Sequence, residues 1–360
     1  SVPYWIASRT GDQRARWYGD VLSRERDMWA LLWHPNDVEP EADKEGLSVW
    51  HSALDWMVAR TGYGVDDLVV AMRSGGPSNH EHADRNSLIV KWGGEILIAD
   101  PYRPPYSFAD PSWMMRTTAG HSGLLIDGNG HQYHDGSEGT NASDAVASIV
   151  RSGERNGYVY WASDASPAYR LVDDDVESVI RSVHVFEGME ATLVVDKVQK
   201  TNKASVLEAR FFGDNRTDAG SHFSTESGGD TPQAGATGGC TISTEVMPGH
   251  AIADIARPLS AVRIASFSPS GISARVGKLP IPDENAALHP FASIVTTEAS
   301  QSPMIVSLIV PFAGADIPTI SIEQGKQGAV VIEASRGVNL LRLTVNDAGT
   351  LPEVIVHQTM

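Results

Sequence analysis

The first recurring pattern in the chain is helical. Between residues 10 and 33, apolar side chains return every three or four positions and charged residues fill the gaps, which is typical of a helix with one apolar face. Pro35, Pro40 and an acidic run up to Asp43 follow, and prolines are common just beyond a helix end. We predict one helix over residues 10–33, which either packs on the rest of the chain or is the last helix of a larger α-helical domain.

From Leu47 onward the apolar pattern changes to a period of two, which predicts short β-strands separated by turns. The segments with this pattern are 47–50, 56–60, 68–72, 121–127, 157–162, 178–186, 191–197, 204–212, 305–310, 329–333 and 339–345. Residues 213–239 are rich in Gly, Ser, Thr and Asp and predict a long loop. The sequence therefore predicts one helix followed by a large, mainly antiparallel assembly of sheets.

Two alternating runs around Gly93-Gly94 predict a β-hairpin. Residues 87–92 and 95–100 flank this pair, and a two-residue Gly-Gly link suits a tight turn in which both positions need positive φ. Counting outward from the turn gives the expected pairs, which are Trp92 with Glu95, Ile89 with Ile98, and Ser87 with Asp100. The hairpin thus brings Asp100 beside the start of its own first strand.

The segment NHEHADRNS, residues 79–87, lies just before that hairpin and combines histidines with charged residues. If it is extended, His80 and His82 point to the same face, which is a common beginning of a metal site. The alternative is a polar turn in which Asp84 pairs with Arg85 and the histidines are exposed.

Asp100 and His121 are candidates for further ligands, the second because it begins the next predicted strand. Strict alternation puts Asp100 and His82 on opposite faces, so a common site requires a bulge or turn between His82 and Ser87. His131 and His134 form another pair, interpreted either as lining a cleft or as solvated.

Composition and charge narrow the class of protein. The chain has 360 residues, of which 41% are hydrophobic and 20% are charged, as expected of a folded globular protein. Its net charge of −17 argues against nucleic acid as a partner, and an anionic ligand would need a local basic patch. The single cysteine, Cys240, permits no internal disulfide, and no apolar run is long enough to span a membrane.

Several motifs between Met72 and Gln132 resemble the C-terminal sheet domain of heparinase II/III-type polysaccharide lyases. The motifs are Arg73-Ser74-Gly75, His80-x-His82-Ala83-Asp84, Gly94-Glu95-x-Leu97-x-x-Asp100-Pro101, Tyr106, Arg116-Thr117-Thr118-Ala119-x-His121 and Asp127-Gly128-x-Gly130-x-Gln132. Arg181 and Val194-Val195-Asp196 agree more loosely. The resemblance covers residues 1–200 well and the rest by pattern.

The resemblance implies a fold, a domain division and a metal. The implied fold is mainly β, a large layered antiparallel β-sandwich at residues 46–360, preceded at residues 1–45 by a short helical remnant of an α/α toroid. It implies that His82, Asp100 and His121 hold a structural zinc ion. It also implies a separate toroid domain or chain as a partner.

The resemblance also implies an enzyme that cleaves a uronic-acid-containing polysaccharide by β-elimination. His80 is then the base or carboxylate neutraliser, with Asn79 as a helper, and Tyr106 is a candidate proton donor. Arg103 and Arg116 are candidates for gripping the substrate carboxylate. The anionic polysaccharide is the expected substrate and a bacterial periplasm or the outside of the cell the expected location.

Some residues depart from the family pattern. Gly120-His121-Ser122-Gly123 stands where the family usually has Ala-His-Asn-Thr, and the family's principal catalytic tyrosine belongs to the toroid. The chain opens on Ser1, and we expect it to be part of a longer protein. Two alternatives to the lyase stay open: a non-catalytic carbohydrate-binding or structural β-domain that needs a separate toroid chain, and a metal-dependent hydrolase.

Overall fold

The structure is a computed structural model that describes residues 2–22, 27–43, 46–77, 82–100, 109–132, 143–215, 239–282, 289–347 and 349–359. The chain divides into two compact units, residues 1–46 and 47–360. No helix in the described ranges is long and apolar enough to cross a membrane. The assignment of the first unit to a toroid remains a prediction.

The first unit contains three short helices where the sequence predicted one helix over residues 10–33. They are α1 (Val2–Thr10), α2 (Gln13–Leu22) and α3 (Met28–Leu32). Gly11 ends α1 with a φ of +71°, a conformation that favours glycine. The carboxylate of Asp12 then accepts hydrogen bonds from the backbone N–H groups of Arg14 and Ala15 at 2.9 and 3.0 Å. The prediction of a continuous helix was therefore wrong: Gly11 and Asp12 separate α1 from α2, and Asp27, whose backbone is extended, begins α3 by accepting a hydrogen bond from the N–H of Ala30 at 2.6 Å.

The second unit is built almost entirely from antiparallel strands, which confirms the predicted fold class. In the described residues the strands are β1 (Ser48–His51), β2 (Trp56–Arg60), β3 (Val69–Arg73), β4 (Leu88–Trp92), β5 (Glu95–Ala99), β6 (Leu124–Ile126), β7 (Ser148–Arg155), β8 (Tyr158–Asp164), β9 (Val176–Phe186), β10 (Ala191–Lys200), β11 (Leu207–Gly213), β12 (Thr241–Met247), β13 (His250–Ala256), β14 (Ala261–Phe267), β15 (Ile272–Gly277), β16 (Phe291–Thr296), β17 (Met304–Phe312), β18 (Thr319–Gln324), β19 (Val330–Arg336), β20 (Asn339–Asn346) and β21 (Glu353–Thr359). Helix α4 (Ser166–Arg170) and 3₁₀ helices at Pro111–Arg116, Thr118–Gly120 and Lys326–Gly328 connect them.

These strands form three sheets stacked in layers. The first sheet has the order β1-β2-β3-β4-β5-β11-β16-β15, with β6 also paired to β11; the middle sheet has the order β12-β13-β14-β17-β10-β9-β8-β7; and the third has the order β18-β19-β20-β21. One hydrophobic core joins strands of the first and middle sheets. A second core joins the middle and third sheets. The middle sheet is therefore covered on both faces.

Burial on both faces explains the composition of the central strands. All nine residues of β17 are buried, and β10 has a single residue that is not buried. Such strands lose the alternation of apolar and polar residues, because neither face contacts water. The third sheet, in contrast, alternates, as in β18, where Ile320 and Ile322 are buried between exposed neighbours.

The predicted Gly-Gly hairpin exists as β4 and β5, but its register differs from the prediction. Trp92 pairs with Glu95 as expected, and a β-bulge then places Lys91 opposite Ile96 and Val90 opposite Ile98. The extra residue, Leu97, is buried like the residue after it. The predicted pairs of Ile89 with Ile98 and of Ser87 with Asp100 were therefore wrong. Continuation of the observed register puts Asp100 opposite Leu88.

Candidate functional site

Three chain segments meet at one edge of the first sheet, the edge formed by the ends of strands β3, β4 and β5, and carry the candidate site residues. His82 lies between β3 and β4, Asp100 directly follows β5, and His121 follows the 3₁₀ helix Thr118–Gly120. Because β3, β4 and β5 are consecutive antiparallel neighbours, the end of β3, the start of β4 and the end of β5 share this edge. His121 was predicted to begin a strand, but β6 begins three residues later at Leu124.

The structure brings His82, Asp100 and His121 together. The Nδ1 atom of His82 lies 3.3 Å from the Nε2 atom of His121, and the two ring centroids are 5.2 Å apart. The other ring nitrogen of His121, Nδ1, contacts a carboxylate oxygen of Asp100. His121 is fully buried, His82 is half-buried, and the Asp100 side chain is 29% exposed.

The two histidines have opposite electrostatic environments. Burial, and after it the neighbouring His121, lower the pKa of His82 to about 3. Burial also disfavours the charged form of His121, but the adjacent Asp100 carboxylate outweighs this effect and raises the pKa of His121. In this arrangement His82 is neutral near pH 7, which is the form that binds a metal ion.

The residues after His82 form a tight polar turn. The backbone N–H of Ser87 donates to the carbonyl of Asp84 at 2.9 Å, and Asn86 has a φ of +66°, which asparagine tolerates. The Asp84 carboxylate contacts the guanidinium groups of Arg73 and of Arg85, the second at 3.3 Å. The turn and the pairing of Asp84 with Arg85 are thus present, but the polar-turn alternative also expected exposed histidines, and His82 is half-buried.

The ring of His131 is hydrogen-bonded to the backbone of this turn. Its Nε2 atom accepts a hydrogen bond from the backbone N–H of Arg85 at 3.0 Å, and its Nδ1 atom donates to the carbonyl of Gln132 at 2.6 Å. The side chain is buried, and burial lowers its pKa to about 3. Neither predicted interpretation, a cleft residue or a solvated one, was correct for His131, because both ring nitrogens are used inside the fold. His134 lies outside the described residues.

A buried arginine from the middle sheet connects two of the site segments. Arg181 on β9 makes a two-pronged ion pair with the carboxylate of Asp196 on β10, at 2.7 and 2.9 Å. Its remaining guanidinium nitrogen, Nη1, donates to the carbonyls of Asn86 and Ser122 at 2.7 and 2.8 Å. Those carbonyls belong to the segments that carry His82 and His121. The ion pair therefore fixes both segments against the same point of the middle sheet.

Small residues beside His121 complete its placement. A Cβ atom on Gly120 would lie 2.6 Å from the Cα atom of Met115, so glycine permits this close backbone contact. The hydroxyl of Ser122 donates to the carbonyl of Ala99 at 2.8 Å and accepts from the N–H of Phe212 at 3.0 Å. Ser122 thereby bridges β5 and β11.

Arg116, a predicted substrate grip, is buried. Its side chain is 1% exposed, and its guanidinium carbon lies 4.7 Å from the centre of the Trp113 ring, a cation–π distance. Its carbonyl accepts a hydrogen bond from the N–H of Ala83 at 2.7 Å, which ties the His82 segment to the 3₁₀ helix. Its role as a substrate grip remains a prediction. The other four predicted residues, Asn79, His80, Arg103 and Tyr106, lie outside the described residues.

The facing histidine nitrogens fit two positions of a zinc site. Zinc binds histidine nitrogen at about 2.0–2.1 Å with tetrahedral geometry, which separates two such nitrogens by about 3.4 Å. The observed 3.3 Å between His82 Nδ1 and His121 Nε2 matches this separation. Asp100 contacts the outer nitrogen of His121, which is the carboxylate–histidine arrangement found around metal ligands. Within the described ranges no group of three or more His, Cys, Asp or Glu side chains is arranged to hold a metal ion.

Sequence reasoning missed the supporting residues of the site. Arg73 was recognised only as part of a motif, and the pairing of Arg181 with Asp196 was not predicted at all. The available signal was the presence of an arginine and an aspartate within otherwise apolar strands, since buried charges in sheets are normally paired.

The fold and site define a layered antiparallel β-sandwich with an imidazole–imidazole–carboxylate cluster at one sheet edge. The profile of the family described as "Heparinase II/III-like, C-terminal" matches residues 35–244, more than half of the chain. The protein therefore belongs to the heparinase II/III-like C-terminal family, as the motifs predicted. No curated protein sequence matches the chain.

Solved structures support the fold. The crystal structure of heparan sulfate lyase HepC from Pedobacter heparinus matches with a TM-score of 0.59 and 13% identity, over 97% of this chain and 48% of that chain. Heparinase III matches with a TM-score of 0.57 and 12% identity, over 94% of this chain and 48% of that chain. At these identities the similarity shows a shared fold. The chain spans about half the length of both structures.

The buried Arg181–Asp196 pair generates a stability prediction. Arg181→Met leaves the Asp196 carboxylate buried without a counter-charge and removes the donor from two carbonyls. We expect the free energy of unfolding to fall by about 3–5 kcal/mol, measured by urea denaturation. In the double variant R181M/D196L, part of this loss should return, because the unpaired charge is gone while the carbonyls remain without a donor.

Arg342→Met is the matched control for this experiment. Arg342 pairs with Glu333 at 3.0 Å, and both side chains are about half exposed at 55% and 49%. Exposed pairs contribute about 0–1 kcal/mol, so this variant should unfold close to the parent. Equal losses for R181M and R342M would contradict the central role of the buried pair.

Proposed function

We propose that the protein is part of a polysaccharide lyase that cleaves a uronic-acid-containing polysaccharide by β-elimination, with a structural zinc ion in the β-domain. The observation that carries the proposal is the convergence of His82, Asp100 and His121 in a domain of the heparinase II/III-like family. The structural neighbours with lyase names supply the reaction class.

The reaction sets three requirements. The C5 proton of a uronate is weakly acidic while the neighbouring carboxylate stays charged, so that charge must be neutralised. A base then removes the C5 proton, and the electron pair forms the C4=C5 double bond as the bond from C4 to O4 breaks. An acid donates a proton to the departing O4 oxygen. Atoms and charge balance without an external oxidant or reductant.

Residues of the segments flanking the site are assigned to these requirements. His80, two positions before His82, is the base or carboxylate neutraliser, and Asn79 assists neutralisation. Tyr106 donates the proton to O4, and Arg103 and Arg116 attract the substrate carboxylate. The family's catalytic tyrosine would come from a toroid domain or chain. Export to a bacterial periplasm or beyond the cell completes the proposal, since polymeric substrates are met there.

Zinc is assigned a bracing role. His82 through Nδ1 and His121 through Nε2 would hold the ion, and it would join the segment before β4 to the segment before β6. Asp100 is either the third ligand, as predicted from the family, or the residue that orients His121 through its outer nitrogen. Both roles for Asp100 are compatible with a structural ion that does not contact the sugar.

A pair of variants tests the zinc and separates the two roles of Asp100. His82→Ala should remove a ligand, lower the zinc content measured by atomic emission, and lower the midpoint of thermal unfolding. If Asp100→Asn loses zinc as completely, Asp100 is a ligand; a loss of about 10–100-fold in affinity indicates orientation of His121 instead. His357→Ala, on exposed strand β21, is the control and should retain the parent's zinc content. A zinc-replete, equally stable H82A protein would refute the metal site.

His80→Ala tests the chemistry. Loss of the base or neutraliser should abolish formation of the unsaturated uronate, followed by its ultraviolet absorbance with a panel of uronic polysaccharides. Because His80 is not a proposed ligand, zinc content and thermal stability should stay at the parent's values. Unchanged product formation would show that His80 has no part in elimination.

A non-catalytic carbohydrate-binding or structural β-domain is the second candidate. It is favoured by the burial of Arg116, one of the residues assigned to the substrate carboxylate. In that case this chain alone would bind acidic oligosaccharides without turnover, and addition of a toroid chain would restore elimination. Products without a double bond, together with immediate loss of activity on chelation, would instead indicate a metal-dependent hydrolase.

A further inference from the structure

A groove opens between the edge of the middle sheet and the start of β21. About 180 Å³ of space lies between strands β7, β8 and β9 on one side and residues 351–354 on the other. This volume is smaller than that of drug-sized ligand sites, about 300–1,000 Å³, so the groove takes a small ligand group. The groove belongs to the layer between the middle and third sheets, whereas the His82 cluster lies at an edge of the first sheet.

Two arginines on β7 frame a tyrosine at this groove. Arg151, Gly153 and Arg155 alternate onto one face of the strand, and Gly153 pairs with Tyr160 on β8. A Cβ atom at position 153 would lie 2.6 Å from the Tyr160 hydroxyl oxygen, so the glycine lets the ring extend across β7. The guanidinium carbons of Arg151 and Arg155 lie 5.6 and 5.9 Å from the centre of the Tyr160 ring.

These arginines differ from the other arginines of the sheets. Arg181 and Arg263 each bind an aspartate with two nitrogens. Arg151 and Arg155 are exposed, and neither makes an ion pair or hydrogen bond with any residue that the structure describes. In a chain with a net charge of −17, two unpaired guanidinium groups form a local basic patch of the kind that an anionic ligand needs.

The rest of the groove offers hydrogen-bonding groups and aromatic surface. His184, which pairs with Tyr160 across β8 and β9, stacks on it with ring centroids 5.6 Å apart and an interplanar angle of 18°. His184 is 7% exposed, and its Nδ1 atom has no hydrogen-bond partner among the described residues. Burial lowers its pKa to about 3, so the ring is neutral near pH 7. On the opposite wall, the Glu353 carboxylate accepts from Asn346 at 3.2 Å.

The geometry points to a second binding site, for an acidic saccharide unit with a carboxylate or sulfate group and free hydroxyls. Arg151 and Arg155 bind the anionic group. Tyr158 and Tyr160, which line the groove, contact the sugar ring, and His184 and Glu353 bind hydroxyls. Glu353 repels an anion, which orients the saccharide with its charged group toward β7. The choice of ligand rests on the proposed action on an anionic polysaccharide, and the site would hold the polymer away from the His82 cluster.

Calorimetric titration of the 360-residue chain tests this site. The probes are a hexasaccharide from heparan sulfate, one from alginate, and neutral cellohexaose. We expect one or both acidic probes to bind, with affinity that falls as salt is added, and cellohexaose not to bind. Binding of the heparan sulfate probe alone assigns the site to sulfate, and of the alginate probe to carboxylate.

Two double variants make the test specific. R151A/R155A should weaken binding about tenfold or more, or remove one of two binding events. R170A/R342A makes the same change in net charge at exposed positions outside the groove and should bind like the parent. Circular dichroism of both variants should match the parent, because neither groove arginine supports a described contact other than its stacking on Tyr160.

Equal binding by R151A/R155A and the parent would overturn the second site, and would leave Arg151 and Arg155 as charges that protect an edge strand from pairing. Loss of binding in R170A/R342A as large as in R151A/R155A would overturn it too, because only net charge would then matter. The unsaturated-product assay on the same proteins reports separately on the proposed function. Arginine-dependent binding without product from the 360-residue chain would retain the site, because binding, unlike the proposed elimination, does not need the toroid tyrosine.

Discussion

The ion pair of Arg181 with Asp196 is the constraint on which the site depends. An arginine inside a sheet covered on both faces is costly unless every nitrogen is paired, and here the partners are one carboxylate and two carbonyls from separate loops. The same contacts that compensate the buried charge hold the loops in place. The middle sheet therefore helps to position the candidate cluster, in addition to the strands of the first sheet that lead into it.

Much of the fold could be predicted from periodicity, and the errors have identifiable causes. The change from a helical to a period-two pattern at Leu47 marked the start of the β-unit, and the predicted strands are present. The single helix over residues 10–33 failed because Asp27, with an extended backbone, caps the separate helix α3, and because Gly11 and Asp12 put the start of α2 at residue 13. This local capping outweighs the apolar spacing. The layering was not predictable in this way, because continuous apolar runs such as β17 show burial on both faces without showing which sheets cover them.

The site was predictable where it depends on residue type and family motif, and not where it depends on long-range contacts. The proximity of His82, Asp100 and His121 was expected from the resemblance to the family's motifs, whereas the hairpin pairing alone put Asp100 and His82 on opposite faces. The burial of His131 and Arg116 was not, because the ring of His131 accepts a hydrogen bond from Arg85, 46 residues away, and the carbonyl of Arg116 accepts from Ala83 in another segment. Asp100 illustrates the difference, since its predicted strand partner was wrong by one residue, while it lies beside His121, with which the resemblance implied a common site.

The bulge at Leu97 has a consequence for how this hairpin can change during evolution. Each residue added to or lost from one of its strands turns every later side chain to the opposite face. The face on which Asp100 lies therefore depends on whether the number of residues between the turn and Asp100 is odd or even, more than on the exact number. Relatives that keep the carboxylate should therefore differ from this chain by even numbers of residues between the Gly-Gly turn and Asp100, or carry a compensating bulge.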